Sequence, residues 1–269
     1  MTTTEQETSS KDDGELADPL AEAFDRTVEE GVRRLGRPLP ELLATGAVGG
    51  ADVVTGVFAL LIVRTETGNE LLAALAFSIG FIALTLANSE LFTENFLVPI
   101  AALVTRHGTI AGLARLWVVS LAMNLAGGWL VAWLLVHAFP QLRSTAIEVG
   151  SRYAHLGINV RSLCMAVLAG MVITLMTRMQ HATDNLGVQL VPALLFGSLL
   201  AGAGLFHCVL DSIMMFAALI SGGAPFGYLD WLGALGWSAL GNIIGGIGLV
   251  AFLRLARVPH RIAEQRARA

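Results

Sequence analysis

The chain has 269 residues, of which 55% are hydrophobic and only 14% are charged, and its formal net charge is −4. This composition lies well outside the usual balance of a soluble domain and indicates a membrane protein. The two cysteines, Cys164 and Cys208, lie far apart within apolar stretches. The sequence therefore predicts neither a disulfide framework nor a cysteine-rich metal site, and we expect no metal, no cofactor and no nucleic-acid partner.

Acidic residues are concentrated at the start of the chain, where ten of the 21 precede residue 31. Residues 1–20 are polar and lack the basic and apolar regions of a signal peptide, so they predict a solvated tail. Residues 21–36 are expected to form either an amphipathic helix on the membrane surface or a plain solvated helix. We therefore expect an N-terminal cytoplasmic tail over 1–36, a pore domain over 37–255 and a basic cytoplasmic tail over 256–269.

Six membrane spans are predicted from the apolar segments. A helix rises ~1.5 Å per residue and the hydrocarbon core is ~30 Å thick, so one span needs about 20 apolar residues. Two segments, 71–105 and 188–220, are too long for one crossing and too short for two crossings with a turn. The four ordinary candidates are 42–63, 113–138, 160–178 and 231–253.

Both overlong segments are interrupted near their middles by polar residues. Residues 88–95 interrupt the first segment, and the second is interrupted around Gly202, Gly204, His207 and Asp211. Irregular backbone at membrane depth is tolerated only where protein buries it or where it lines a water-filled cavity. We therefore predict that spans two and five are broken helices along a solute pathway, the alternative being long tilted helices with interfacial tails.

The arginine distribution predicts the orientation of the chain. With six spans and the N-terminus inside, eleven arginines are cytoplasmic and four lie outside or near the outer surface. This bias agrees with the positive-inside rule, and an even number of spans places both termini in the cytoplasm. The expected location is a bacterial-type inner membrane.

Short signatures repeat in the two halves of the chain. Leu-Phe-Thr at 91–93 is matched by Leu-Phe-His at 205–207, and the pattern N-x-x-G-G begins at both Asn124 and Asn242. Three spans per unit means that the second unit is inverted relative to the first. Inverted repeats commonly place a substrate site where their broken helices meet. We expect the repeated glycines to serve close helix packing.

These motifs together resemble the formate/nitrite transporter family from about residue 40 to residue 255. The resemblance rests on residues 90–95 with Pro99, on 205–207, on 163–168 and on 241–246. It implies an all-α, aquaporin-like fold of six spans and a homopentamer with one pore per protomer. It also implies passage of small monovalent anions such as formate or nitrite, and no enzymatic activity.

The resemblance assigns a pore centre to His207 and Thr93. Because histidine titrates near neutral pH, His207 is expected to give a proton to the anion so that the neutral acid crosses, with Thr93 orienting the solute or the ring. Ordinary helix packing is the alternative for the apolar positions. The constriction residues implied by the resemblance are Phe77, Phe81, Leu91, Phe92 and Leu200.

Three positions depart from the family pattern. Ala154 occupies the position of a lysine in the fourth span, where Arg152 and Arg161 are the nearest cations, and Gly170 occupies the position of an asparagine. Asp211 replaces an asparagine four residues after His207, and that spacing predicts an ion pair if the half-helix is regular. Such a pair would suit a proton relay, a neutral solute or a cation.

Further candidates are Asp52, Glu90, Asn124 and Asn242. An ionisable group inside a span, such as Asp52, is a functional candidate by default, although a structural contact between protomers is an equal alternative. A membrane-embedded enzyme would have to use His207, Asp211, Glu90 and Asp52, but no H-E-x-x-H motif supports it. A non-conducting scaffold or sensor is the third class of function.

Overall fold

In the computed structural model, which describes residues 22–269, every regular element is a helix. One of the helices, Tyr228–Leu255, contains a π-helical stretch, Ile244–Ala251. The helices are α1 (22–36), α2 (Leu39–Thr67), α3 (Glu70–Ala87), α4 (Val98–Val104), α5 (Ile110–Ala138), α6 (Arg143–Leu156), α7 (Val160–Gln180), α8 (Leu186–Gly202), α9 (Cys208–Ser221), α10 (Tyr228–Leu255) and α11 (Pro259–Arg268).

The four ordinary spans predicted from the sequence correspond to α2, α5, α7 and α10. Each has between 21 and 29 residues, and at ~1.5 Å per residue even the shortest crosses the hydrocarbon core. The two predicted broken spans are confirmed as well. Helices α3 and α4 are separated by residues 88–97, and α8 and α9 by residues 203–207.

Local backbone chemistry explains where the first break begins. Asn88 ends α3 in the left-handed conformation (φ 51°), which asparagine tolerates better than most residues. The second break ends where the side chain of His207 caps α9. Asp211 therefore lies in the first turn of a regular helix and not in the break itself.

The two halves of the chain pack in the same way, as the inverted repeat predicts. Helix α2 packs against α5 in the first half, α7 packs against α10 in the second, and α3 packs against α8 between them. Helix α6, which joins the halves and packs against α9, is not predicted by the apolar segments of the sequence. Its buried positions include Ala146, Val149 and Tyr153.

The two terminal helices lie together on one side of the molecule, which we name the terminal side; the opposite side is the distal side. Phe24 and Val28 of α1 pack with Ala101 of α4 and with Ile262 of α11. Because α1 buries an apolar face in this way, the alternative of a plain solvated helix is wrong. The predicted tail over 1–20 lies outside the described residues.

Candidate pore

Two cavities open on opposite sides of the helix bundle. The distal cavity has a volume of about 280 Å³ and is lined by Arg64, Arg152 and Tyr153 among others. The terminal cavity has a volume of about 130 Å³, and Arg34 and His181 are part of its lining. Buried residues of the two breaks lie between the cavities.

Thr93 and His207, one from each break, meet in a hydrogen bond. Thr93 Oγ1 lies 2.7 Å from His207 Nε2, and both residues are fully buried. The other ring nitrogen, Nδ1, accepts a hydrogen bond from the backbone N–H of Leu210 at 3.1 Å. Because Nδ1 is an acceptor, the proton of the neutral ring is on Nε2, which donates to Thr93 Oγ1.

The predicted constriction residues are all buried, and all five belong to one apolar cluster. The ring of Phe81 lies 6.4 Å from that of His207, and the ring of Phe77 lies 5.6 Å from that of Phe81. Phe92 instead packs edge-on against Phe96 and Trp117. Leu91 and Leu200 are fully buried in the same apolar cluster as Phe77 and Phe81.

Asn124 fixes the break of the second span. Its side-chain NH₂ donates to the carbonyls of Gly46 (2.8 Å) and Glu90 (2.7 Å), and its oxygen accepts from the N–H of Phe92 (2.9 Å). Irregular backbone leaves polar groups without helical partners, and burying them unpaired would be costly. Asn124 therefore satisfies one carbonyl and one N–H of the break and ties them to a carbonyl of α2.

Asn242 does the same for the fifth span. Its NH₂ donates to the carbonyls of Ala166 and Phe206, both at 2.8 Å, and its oxygen accepts from the N–H of Cys208 at 3.0 Å. The bonds match those of Asn124 one for one. The N-x-x-G-G repeat thus identifies two equivalent asparagines that hold the two breaks in place.

These bonds correct the alignment of the two breaks. In each break, the asparagine side chain bonds the carbonyl of one residue and the N–H of the residue two positions later. The residue between these two is Leu91 in the first break and His207 in the second, so Leu91 and His207 occupy equivalent positions. The Leu-Phe-Thr and Leu-Phe-His motifs had placed Thr93 opposite His207. That alignment is wrong by two residues. Identical residues in a three-residue motif fix an alignment less firmly than a set of hydrogen bonds that recurs in both halves of the chain.

Glycines opposite the asparagines explain one departure from the family pattern. A Cβ atom added at Gly50 would overlap with the carbonyl of Asn124, and one added at Gly170 would overlap with the carbonyl of Asn242. The backbones of α7 and α10 are therefore too close at Gly170 for any side chain. The asparagine that the resemblance leads one to expect there does not fit this packing.

The predicted ion pair between His207 and Asp211 is not formed. Both His207 ring nitrogens are engaged elsewhere, by Thr93 and by the Leu210 N–H. The two carboxylate oxygens of Asp211 are buried and have no hydrogen-bond partner among the described residues. The ion-pair prediction fails because the cap geometry turns the imidazole back onto the first turn of α9, away from the carboxylate.

A network of buried charges lies at the terminal end of the candidate pore. Arg37 Nη1 lies 2.6 Å from Glu90 Oε2, and Arg34 Nη1 lies 3.2 Å from Glu90 Oε1. Arg34 also bonds the Asn95 amide oxygen at 3.2 Å and lies 3.9 Å from Glu94. Glu90 thus holds the first break to α1, through Arg34, and to the segment between α1 and α2, through Arg37, and it is not free to act as an acid or a base.

Glu30 of α1 extends this network towards solvent. Its carboxylate accepts from Arg34 at 2.8 Å and from Arg33 at 2.7 Å. Burial raises the pKa of Glu30, but the charges of Arg34 and Arg33 outweigh it, so the pKa is lowered. The helix α1 is therefore tied to the break by charge as well as by its apolar face.

At the distal end, the arginines are neutralised by carboxylates. Arg64 bonds Glu70 at 2.8 Å and Glu148 at 2.6 Å, and Arg152 bonds Glu70 at 2.8 Å. Arg152 lines the distal cavity, where a substitute for the missing lysine would be expected. Because Glu70 and Glu148 neutralise Arg64 and Arg152, the group as a whole has no net positive charge. Exposed Arg161 and partly buried Ala154 are not among the residues that line this cavity.

Asp52 has a partner that the sequence did not reveal. The hydroxyl of Ser89, in the first break, donates to its carboxylate at 2.5 Å. In the described part of the chain, no group of three or more His, Cys, Asp or Glu side chains is arranged to hold a metal ion. The residues of the enzyme alternative are therefore dispersed among separate contacts.

Arg34, Arg37 and Glu94 also belong to this region, although the sequence motifs did not predict them. One signal was present: two glutamates in a break at membrane depth, Glu90 and Glu94, need buried cationic partners. Arginines immediately before the first span were the nearest candidates on the same side of the membrane.

Comparison with known proteins places the chain in a family. The model of the formate/nitrite transporter family matches residues 21–256. The uncharacterized transporter YrhG of Bacillus subtilis is 29% identical over 255 residues, covering 88% of this chain and 92% of its own. The formate channel BtFdhC of Bacillus thuringiensis is 26% identical, with coverages of 85% and 91%. A solved pentameric formate channel with formate bound superimposes with a TM-score of 0.70 at 19% identity, covering 81% of this chain and 97% of its own. The chain belongs to the formate/nitrite transporter family.

Proposed function

We propose that this chain carries a small monovalent anion, of the formate or nitrite type, between the distal and the terminal cavity. The observation that carries the proposal is the hydrogen bond of 2.7 Å between Thr93 and His207, which joins the two breaks between the cavities. The named activity of the Bacillus thuringiensis relative, a formate channel, supports the same substrate class.

Hydrogen-bond donors are what an anion needs on this path, because it loses hydration as it passes Phe81 and Leu200. The Nε2–H of His207 donates to Thr93 Oγ1 and so orients that hydroxyl. The Thr93 hydroxyl accepts from that group and keeps its own hydrogen free to donate to a solute oxygen. The N-terminus of α9 begins beside His207 and adds the positive end of a helix dipole.

In this proposal His207 acts as a neutral hydrogen-bond donor. A ring that gives up its Nε2 proton must first be protonated on Nδ1, since it would otherwise become an imidazolate. Protonation of Nδ1 would break the bond from the Leu210 N–H and would add positive charge at a helix N-terminus. The geometry therefore favours hydrogen bonding over the proton donation expected from the sequence.

Flux of formate and nitrite into liposomes, with a neutral solute as reference, tests the proposal. His207→Asn keeps a donor and a cap acceptor but cannot titrate, whereas His207→Ala removes both. We expect His207→Asn to retain most of the anion flux and His207→Ala to lose about tenfold, the loss that ~1.4 kcal/mol gives. Loss of flux in both variants would restore the proton-donor mechanism, and no anion flux in the wild type would refute the substrate class.

Assembly and orientation are part of the same proposal. We infer a homopentamer in the inner membrane, with both termini cytoplasmic and with a pore domain over residues 37–255. The pentameric state of the solved formate channel supports the assembly, and the arginine bias supports the orientation. A detergent-corrected mass of one or two chains, or cleavage of a C-terminal tag by external protease in intact cells, would contradict these inferences.

A second candidate function has one observation in its favour. The buried, unpartnered carboxylate of Asp211 lies in the first turn of α9, close to the proposed path. If it is ionised there, it opposes the helix dipole and disfavours an anion. Passage of a neutral solute or a cation is therefore the alternative, and the neutral reference in the flux assay distinguishes it.

A further inference from the structure

An apolar groove of about 480 Å³ lies on the terminal side between α7 and α10, away from both cavities of the candidate pore. Met171 and Leu175 of α7 form one wall, Leu249 and Leu253 of α10 form the other, and Phe24 of α1 closes one end. Leu249 belongs to the π-helical stretch of α10, and such stretches often occur at functional sites.

Three arginines, Arg178, Arg254 and Arg257, line the same groove. Arg178 and Arg257 are near enough to act electrostatically on Arg254, and Arg178 and Arg254 are only partly exposed. None of the three side chains has an ion pair or hydrogen bond within the part of the chain that the structure describes. We name this feature the arginine groove.

The position of these arginines along their helices sets their depth in a membrane. Arg178 is two residues before the end of α7, and Arg254 is next to the last residue of α10. Long basic side chains at such places reach the headgroup region while their stems stay in apolar surroundings. Basic pockets between spans at this depth are typical sites for anionic lipid headgroups.

We propose that the arginine groove binds an anionic phospholipid. Its phosphate lies among the three guanidinium groups, and an acyl chain covers the walls formed by Met171, Leu175, Leu249 and Leu253. Both the phosphate and the acyl chain have a role: the phosphate pairs with the three arginines, and the acyl chain covers the apolar walls. Free phosphate would fill only the first role, and a carboxylate from the acidic start of the chain would leave the walls open.

The test measures lipid binding to the full detergent-purified chain by native mass spectrometry, with phosphatidylglycerol and phosphatidylcholine added separately. The wild type should bind phosphatidylglycerol more tightly. Combined Arg178→Gln, Arg254→Gln and Arg257→Gln should weaken this binding about 100-fold, since each arginine near a membrane surface contributes about fivefold. The matched control combines Arg106→Gln, Arg161→Gln and Arg268→Gln, three exposed arginines outside the groove, and should bind as the wild type does.

Several outcomes would overturn the proposal. They are equal binding of the two lipids by the wild type, wild-type affinity in the groove variant, and an equal loss in the control variant. Displacement of the lipid by the same concentration of inorganic phosphate would show an anion site without a lipid. If binding appears only after residues 2–20 are deleted, the acidic segment is the occupant instead. The single variants, with an expected loss of about fivefold each, decide the matter if the triple variant does not fold.

Discussion

The breaks in spans two and five are held by the same device but differ in their charge. Asn124 and Asn242 make matching sets of three hydrogen bonds to the two breaks. The charged residues of the two breaks differ. Glu90 in the first break is paired with two arginines. Asp211, which follows the second break, has no partner among the described residues.

This difference separates structural from functional charge. A buried carboxylate that is bonded on both oxygens, as Glu90 is, fixes the chain in place and is not free to contact a solute. An unpartnered buried carboxylate, as in Asp211, costs folding free energy without holding anything together. We therefore expect changes at Glu90 to affect stability and changes at Asp211 to affect transport.

The largest effect is expected from Glu90→Gln. It leaves Arg34 and Arg37 buried without their shared counter-charge, which should cost about 3–5 kcal/mol of unfolding free energy. Glu41 is the matched control, since it also bonds Arg37 but is 56% exposed, and Glu41→Gln should cost less than about 1 kcal/mol. Denaturant unfolding in detergent measures both. Equal stability of the two variants would mean that the Glu90 pairs are not structural.

The asparagines should give the next largest effect, and an equal one. Asn124→Ala and Asn242→Ala each leave one carbonyl and one N–H at a break without a partner and remove a further bond to a helix carbonyl, for which we expect about 3 kcal/mol of destabilisation. Ser120 and Ser238 are buried one helical turn before them and bond only within their own helices. Their alanine variants should cost under about 1 kcal/mol. A large difference between the two asparagine variants would contradict the equivalence of the breaks.

Asp211→Asn tests the functional side of the comparison. Removing a carboxylate beside the path should raise formate flux by about tenfold, which corresponds to ~1.4 kcal/mol of relieved repulsion. Stability should stay the same or increase, because no bond from the carboxylate is lost. The measurement is flux into liposomes together with an unfolding curve in detergent. Unchanged flux would show that Asp211 is too far from the path or already neutral.

A double variant separates two explanations of that gain. If Asp211 acts through the field along the path, Asp211→Asn should raise flux by a similar factor in the His207→Asn background. If it acted by ion pairing with His207, as its spacing along the sequence suggested, the gain should vanish in that background. The bonds of the His207 ring to Thr93 and Leu210 lead us to expect the first result.

The sequence was sufficient for the spans, their breaks and the repeat, because these follow from segment length, polarity and glycine content. It also singled out Asn124, Asn242, Thr93 and His207, although the role of the last two in transport stays a prediction. The orientation of side chains was beyond its reach. A spacing of four residues predicted contact between His207 and Asp211, but the cap at the start of α9 turned the ring away.

Pairing between distant segments was equally inaccessible. Glu90 lies more than 50 positions from Arg34 and Arg37 in the chain. The two glutamates of the break indicate that buried cations are needed, but their spacing in the sequence does not fix which arginines form the pairs. Helix α6 was missed for a different reason. It lies between two spans with one apolar face and one polar face, so neither its length nor its mean polarity sets it apart from a loop.

The smallest effect concerns pH and His181, which lies between α7 and α8 at the terminal cavity. Its pKa is lowered from an ordinary 6.5 to about 4, chiefly by burial. The positive charge of Arg34 lowers the pKa further, Arg254 and Arg33 contribute in the same direction, and the negative charge of Glu30 opposes the decrease. Between these two values the unfolded chain binds more protons, so this histidine makes the fold less stable as pH falls from about 6.5 to about 4. The melting temperature of His181→Gln should therefore fall less over that range than that of the wild type, while both behave alike above pH 7.

Exposed His260 of α11 is the matched control, and His260→Gln should follow the wild-type curve. If His181→Gln follows it too, the charged form of His181 is tolerated at the terminal cavity. Glu30 acts at lower pH, because its lowered pKa stabilises the fold above about 4.5 and this contribution is lost as pH falls below that value.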